Sequence, residues 1–201
     1  VNLPQPSAPT PQIAFPGSAR FQAMLDAAVA LDGVQAVTAA LRDALTALIV
    51  DPGVCLPDCV HAPVAGHYAR RELYRSPEHG YSVVAMTWGP GQGTPLHDHD
   101  GRWCVEGVWQ GQLDMVQYEL VEQAGERFRF RVAGRSSAGL GSAGSLIPPH
   151  EYHTIHNADP DHIAVSVHVY QAPLESCASF CPQEDGWFVR ESTRLAIDEA
   201  A

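Results

Sequence analysis

From His67 onward the chain is cut into short stretches rich in Val, Tyr, Trp and Phe, each bounded by Gly or Pro, and this punctuation most restricts the fold. His67 to Arg75, Tyr81 to Trp88, Trp103 to Trp109, Leu113 to Leu120, Glu126 to Val132 and His162 to Gln171 all read as strands. Arg127-Phe128-Arg129-Phe130-Arg131 alternates strictly, which predicts one wet face. Gly134 to Gly144, rich in Gly and Ser, reads as a loop. So many short strands predict a closed or double-sheet all-β body, because closure leaves no exposed edge.

The flanks read differently. Residues 1 to 17 carry five prolines and predict an extended arm. Phe21, Met24, Leu25, Ala28 and Leu31 recur at helical spacing until Gly33, and Val37, Leu41, Leu45 and Leu48 continue the period to Pro52-Gly53. The expected layout is a single domain over 1-201: an arm at 1-17, helices at 18-52, a β-barrel core at 67-173 and a tail at 184-201. The tail holds a short helical pattern around Leu195 and ends acidic.

Charge excludes one class of partner. The net charge is −11, with 12 Lys and Arg against 23 Asp and Glu, so a phosphate backbone finds no electrostatic drive and no nucleic-acid partner is expected. No run approaches a membrane span and the Pro-rich start lacks a signal-peptide pattern, so no membrane partner and a cytoplasmic location are expected. Nothing in the sequence specifies an oligomeric state. Five cysteines cannot all pair internally. Cys55 with Cys59 and Cys177 with Cys181 could together hold a structural zinc ion, although reduced cysteines packed as small hydrophobes are the simpler account.

The chemistry concentrates in three stretches. In Gly91 to Gly111, His97 and His99 stand at i and i+2, so on an extended strand both imidazoles face one side, where they can share a metal ion, while Asp98 points away. In Pro148 to Asn157, any of His150, His153 and His156 could complete such a site, and neutral imidazole suits Fe, Zn, Cu or Ni. In Ser166 to Tyr170, Ser166, His168 and Tyr170 share one face of a strand, and Val165, Val167 and Val169 the other. A polar face turned into a barrel is costly unless it serves a site; the alternative is that this face lies in water.

These residues carry a resemblance. Gly91-x5-His97-x-His99-x4-Cys104-x6-Gly111 resembles the first cupin motif, with Cys104 where many cupins have a glutamate ligand. Pro148-x-His150-x2-His153-x3-Asn157 resembles the second, with His150 in place of the usual glycine, and the match selects His153. More narrowly, Tyr68 to Pro173 resembles the cysteine dioxygenase family of thiol dioxygenases. The resemblance implies an all-β-dominated cupin barrel, a double-stranded β-helix or jelly roll, with N-terminal α-helices. It implies Fe(II) held by His97, His99 and His153. It makes Ser166, His168 and Tyr170 a hydrogen-bonding series beside the iron, with Tyr170 oriented by His168. It makes Cys104 and Tyr170 a thioether pair, and Tyr68-Ala69-Arg70 the segment whose arginine holds the substrate carboxylate.

The function expected from the resemblance is addition of both atoms of O2 to the sulfur of a small thiol, with L-cysteine favoured by Arg70 over 3-mercaptopropionate or mercaptosuccinate. The partners expected are that small-molecule thiol and O2. Other readings of the same residues are a non-catalytic metal- or ligand-binding cupin, a zinc hydrolase or isomerase, and Cys104 as a fourth metal ligand. Arg71 adjoins Arg70, so either could instead be a surface charge. His150 and His156 lie close enough in sequence to line a pocket.

Overall fold

The computed structural model describes residues 13–199. Most of the expected arm, residues 1 to 12, lies outside them; Phe15 is already buried. Helix α1 spans Ser18–Val29 and α2 spans Val34–Ile49. Gly33, between them, has φ of 88°, a left-handed value that stops one helix and redirects the chain into the next. Most of the apolar periods form the buried faces, Phe21, Leu25 and Ala28 in α1 and Val37, Leu41, Leu45 and Leu48 in α2; Met24 is partly buried, and Leu31 lies beyond α1 and is exposed. No helix of the described residues is long and apolar enough to cross a membrane.

A five-stranded antiparallel sheet runs in the order β1 (Ala69–Arg75), β2 (Ser82–Trp88), β9 (Ala164–Tyr170), β4 (Cys104–Gln110) and β7 (Ala143–Leu146). The other strands close into a ring: β10 (Ser176–Pro182), β11 (Phe188–Arg194), β6 (Arg127–Gly139), β5 (Gln112–Ala124), β8 (His153–His156) and β3 (Leu96–His97). The fold is a cupin, or double-stranded β-helix.

β9 shows how the two faces are used. Val165, Val167 and Val169 pack against Leu41, Leu45, Leu48 and Phe21 of the helices, together with Val83, Ala85 and Val105. Ser166, His168 and Tyr170 point the opposite way and are also buried, so the polar face is inside the barrel and not in water. Asp26 fastens α1 to the sheet by accepting hydrogen bonds from Tyr81 Oη at 2.8 Å and Ser76 Oγ at 3.3 Å. Gly107 admits the second helix: a Cβ there would stand 2.8 Å from Ile49 Cδ1.

Two expectations are corrected. Gly134 to Gly139 continues β6 instead of looping, pairing Met115 with Ser136 and Asp114 with Ser137, whose Oγ donates to Asp114 Oδ1 at 2.7 Å. Small polar residues suit the wet outer face of a long hairpin, and only the end of the Gly/Ser stretch turns. The tail forms no helix at Leu195; β11 pairs with β10 from Ser176↔Arg194 to Pro182↔Phe188. The alternating arginines behave as expected: Phe128 is buried, and Arg129 and Arg131 face water, where they pair with Glu122 and Glu119 at 3.0 and 2.6 Å.

Candidate metal centre and its pocket

His97 and His153 are Cα partners across β3 and β8, which places their rings on one side of the ring of strands. The expected extended His-x-His strand is shorter than the sequence suggests, since β3 ends at His97 and His99 follows in a loop. Asp98 holds that loop: its amide donates to Ala178 O at 3.0 Å, and its Oδ1 accepts from the Ala178 amide at 2.8 Å. The ring centroids lie 5.4 Å apart for His97 and His99, 4.4 Å for His97 and His153, and 5.0 Å for His99 and His153. One nitrogen from each falls within 4.8 Å of the others.

The donor set fits a divalent first-row metal. His97 Nδ1 lies 3.1 Å from Pro95 O and His153 Nδ1 lies 2.8 Å from Glu151 O, contacts that fix those N–H groups and leave each Nε2 for a ligand. Among the described residues His153 Nε2 and His99 Nδ1 are buried with no hydrogen-bond partner, atoms a metal ion would satisfy. Burial holds all three imidazoles below the usual histidine range, reinforced for His99 and His153 by the neighbouring rings, so they are neutral ligands at neutral pH.

The pocket beside them has a volume of about 50 Å³, and Arg70, Tyr68, Trp88, His168, Tyr170 and Cys177 are among its lining residues. Tyr68 stacks on Trp88 with centroids 4.6 Å apart. Arg70 is buried, donating to Ala196 O at 3.0 Å and Leu174 O at 3.3 Å, while its Nε has no partner. Arg71 is buried too, but serves Thr87 Oγ1 and Ala62 O, so Arg70 alone of the pair reaches the pocket. Asp198 positions Arg70 by accepting its backbone N–H at 2.8 Å.

Ser166 Oγ lies 2.8 Å from His168 Nε2 and accepts from Trp88 Nε1 at 2.9 Å. His168 makes no hydrogen bond to Tyr170 among the described residues; the two rings lie stacked, centroids 5.9 Å apart. The expected orientation of Tyr170 by His168 is therefore replaced by stacking. Burial, and then Arg70, pushes His168 down to about 3. Cys104 and Tyr170 are paired across β4 and β9, and burial raises both.

Several expectations fall away. His150 and His156 are exposed and neither lines the pocket. Cys104 groups with Glu106 and His168 and not with the three histidines as a fourth ligand. Cys55 is exposed and Cys177 buried in the pocket, and among the described residues the four outer cysteines form no ligand group. Two placements are not legible in the sequence, that of Cys177 in this pocket and that of Glu106. Cys177 shares a strand face with Ser179, the partner of His97, a signal hidden because β10 was not recognised. Glu106 stands two residues beyond Cys104, directly opposite His168; an acid at a buried strand position was the available signal.

Residues 66–183, more than half of the chain, match the family described as cysteine dioxygenase type I. Cysteine dioxygenase type 1 of Danio rerio is 27% identical over 103 residues, covering 50% of this chain and 49% of that protein. Its Homo sapiens counterpart is 24% identical over 108 residues, with coverage of 50% and 49%. The chain thus spans about half the length of these curated relatives. A Klebsiella pneumoniae protein with a double-stranded β-helix domain is similar with a TM-score of 0.45 and 18% identity, covering 62% of this chain and 87% of that one.

Proposed function

The chain belongs to the cysteine dioxygenase type I family, and on that premise we propose that it is an iron(II)-dependent thiol dioxygenase acting on a small thiol carboxylate, L-cysteine before 3-mercaptopropionate or mercaptosuccinate. The observation that carries this reading is three neutral histidines converging beside a buried arginine with an unpartnered Nε. His97, His99 and His153 would hold the metal. Bound there, Fe(II) would supply open positions for a thiolate and dioxygen and would lower the thiol pKa. All the electrons that reduce dioxygen come from sulfur, which leaves as sulfinate, and the thiol proton is released to solvent.

The residues of this chain place the substrate. Arg70 has Nε and unused terminal N–H groups with which to grip a carboxylate, giving the sulfur a fixed approach to the histidines. Tyr170 keeps its proton, because burial raises its phenol, so its O–H is available to donate to an oxygen of the bound substrate. Trp88 and Ser166 hold the His168 ring in place. The small volume selects against bulky thiols.

Oxygen uptake by the iron-loaded chain tests the reading. Uptake with cysteine and sulfinate as product supports it; no uptake with any of the three thiols would overturn it in favour of a non-catalytic metal-binding cupin. Uptake with the two mercapto acids alone would move the substrate and keep the class. A thioether between Cys104 and Tyr170 is part of the proposal. After turnover, the intact mass should fall about 2 Da below that of the unmodified chain, a deficit abolished by Cys104→Ala.

A further inference from the structure

The atoms of a second ligand group, from Cys104, Glu106 and His168, lie within 4.8 Å of one another. Cys104 and Glu106, two residues apart on β4, share one face of the sheet, and on β9 His168 is the Cα partner of Glu106 and Tyr170 that of Cys104. Cys104 Sγ lies 3.9 Å from His168 Nδ1, and Glu106 Oε2 lies 3.3 Å from the same nitrogen. The Oε2 contact has an orientation that makes no hydrogen bond, so among the described residues both carboxylate oxygens of this buried glutamate lack a partner. Leaving a buried carboxyl group unsatisfied is costly, and more so when it is charged.

We propose that Cys104, Glu106 and His168 form a second metal site, separate from the three histidines, for a divalent ion of zinc type. Tetrahedral zinc with bonds of about 2.3 Å to sulfur and about 2.0–2.2 Å to nitrogen and oxygen sets its ligand atoms roughly 3.3–3.6 Å apart; the two contacts to His168 Nδ1 are 3.3 and 3.9 Å, and the sulfur and the carboxylate oxygen lie within 4.8 Å of each other, so binding draws Cys104 inward. The outer partners are in place. Ser166 Oγ takes His168 at Nε2 and is itself fixed by Trp88 Nε1, which leaves Nδ1 aimed at the sulfur and the carboxylate.

Charge and access agree with such a site. On binding, the thiol and the carboxylic acid each release a proton to solvent, and thiolate, carboxylate and dication then sum to zero, a tolerable unit to bury. Glu106 and Ser166 line a cavity of about 350 Å³ between the sheets, which also reaches His153 and is rimmed by Arg135, Gln117 and Ser145. Glu106 is thus the member of the group that faces this cavity, the side from which an ion would reach it. The thioether would consume the same sulfur, so metal at this site and a crosslink to Tyr170 exclude each other.

The test uses the full chain as metal-free Tyr170→Phe protein, in which the thiol cannot be crosslinked, titrated anaerobically with cobalt(II). The expected result is two cobalt ions per chain and a thiolate-to-cobalt charge-transfer band. Adding Cys104→Ser should remove the band and one ion; adding His97→Ala and His99→Ala should remove one ion and keep the band. Adding Glu106→Gln should weaken band formation by more than about tenfold, the scale of losing an outer partner alone. No band at saturation overturns the proposal. So does a band that survives Cys104→Ser, which would belong to another of the free cysteines, or one lost with the two histidines, which would make Cys104 their ligand. Circular dichroism checks each variant's fold, and His153→Ala replaces the double histidine variant if that one unfolds. Oxygen uptake plays no part in the readout, so failure here leaves the dioxygenase reading standing, and the reverse.

Discussion

At the scale of single residues, the pocket separates binding from chemistry. Arg70→Ala removes charge-assisted hydrogen bonds worth about 1.5–3 kcal/mol, so KM for cysteine should rise roughly 10- to 100-fold with a smaller change in kcat. Arg70→Lys should recover little, because an ammonium lacks the planar fork. Steady-state kinetics decides; an unchanged KM would move the carboxylate elsewhere. Glu106 gives a stability prediction with a definite sign. Burial raises it from 4.5 to about 8, so the folded chain keeps a proton that the unfolded chain releases. Its contribution is full below 4.5 and is lost as pH rises toward 8, and neutral His168 supplies no compensating charge. Metal-free Glu106→Gln should therefore gain on wild type in thermal midpoint as pH rises through that window. A gap independent of pH would mean that the carboxyl titrates normally.

At the scale of elements, β9 transmits packing to the site, since its valines touch the helices and its polar residues line the pocket. Leu41→Ala in α2 deletes a fully buried side chain and should cost about 2–5 kcal/mol in denaturant unfolding, while the folded fraction keeps its metal content. Loss of metal at unchanged stability would contradict this division. The same strand shows why much was legible in the sequence: alternation on β9, glycine-bounded stretches and helical periods all follow local geometry. His97, His99 and His153 were legible by resemblance and now also by convergence. What stayed hidden depends on distant partners. Ser-Cys-Ala-Ser-Phe-Cys-Pro has no strong strand composition and becomes β10 by pairing with β11 and β3. Gly134 to Gly139 is extended because β5 lies alongside it. Glu106 was missed because its importance comes from His168 across the sheet.

At the scale of the whole molecule, the tail reaches back to the start of the barrel. Asp198 accepts from the Arg70 amide and contacts His67 at 3.0 Å, and its own amide donates to Arg70 O at 2.7 Å. The closure of the ring is slighter. β3 and β8 meet through the single pair His97↔His153, and β3 joins β10 through only two. The seam is thus made of two of the three histidines of the candidate metal centre. An ion there would act as a clasp, and its removal should loosen the barrel at that line before anywhere else. Hydrogen exchange should show the amides of Leu96 to His99 and His153 to His156 slowing on metal loading and speeding on chelation, with the helix-covered sheet unaffected. A uniform change across both sheets would assign the effect to global stability. Occupancy of the centre would then be readable as mechanical closure, in a protein that had never met its substrate.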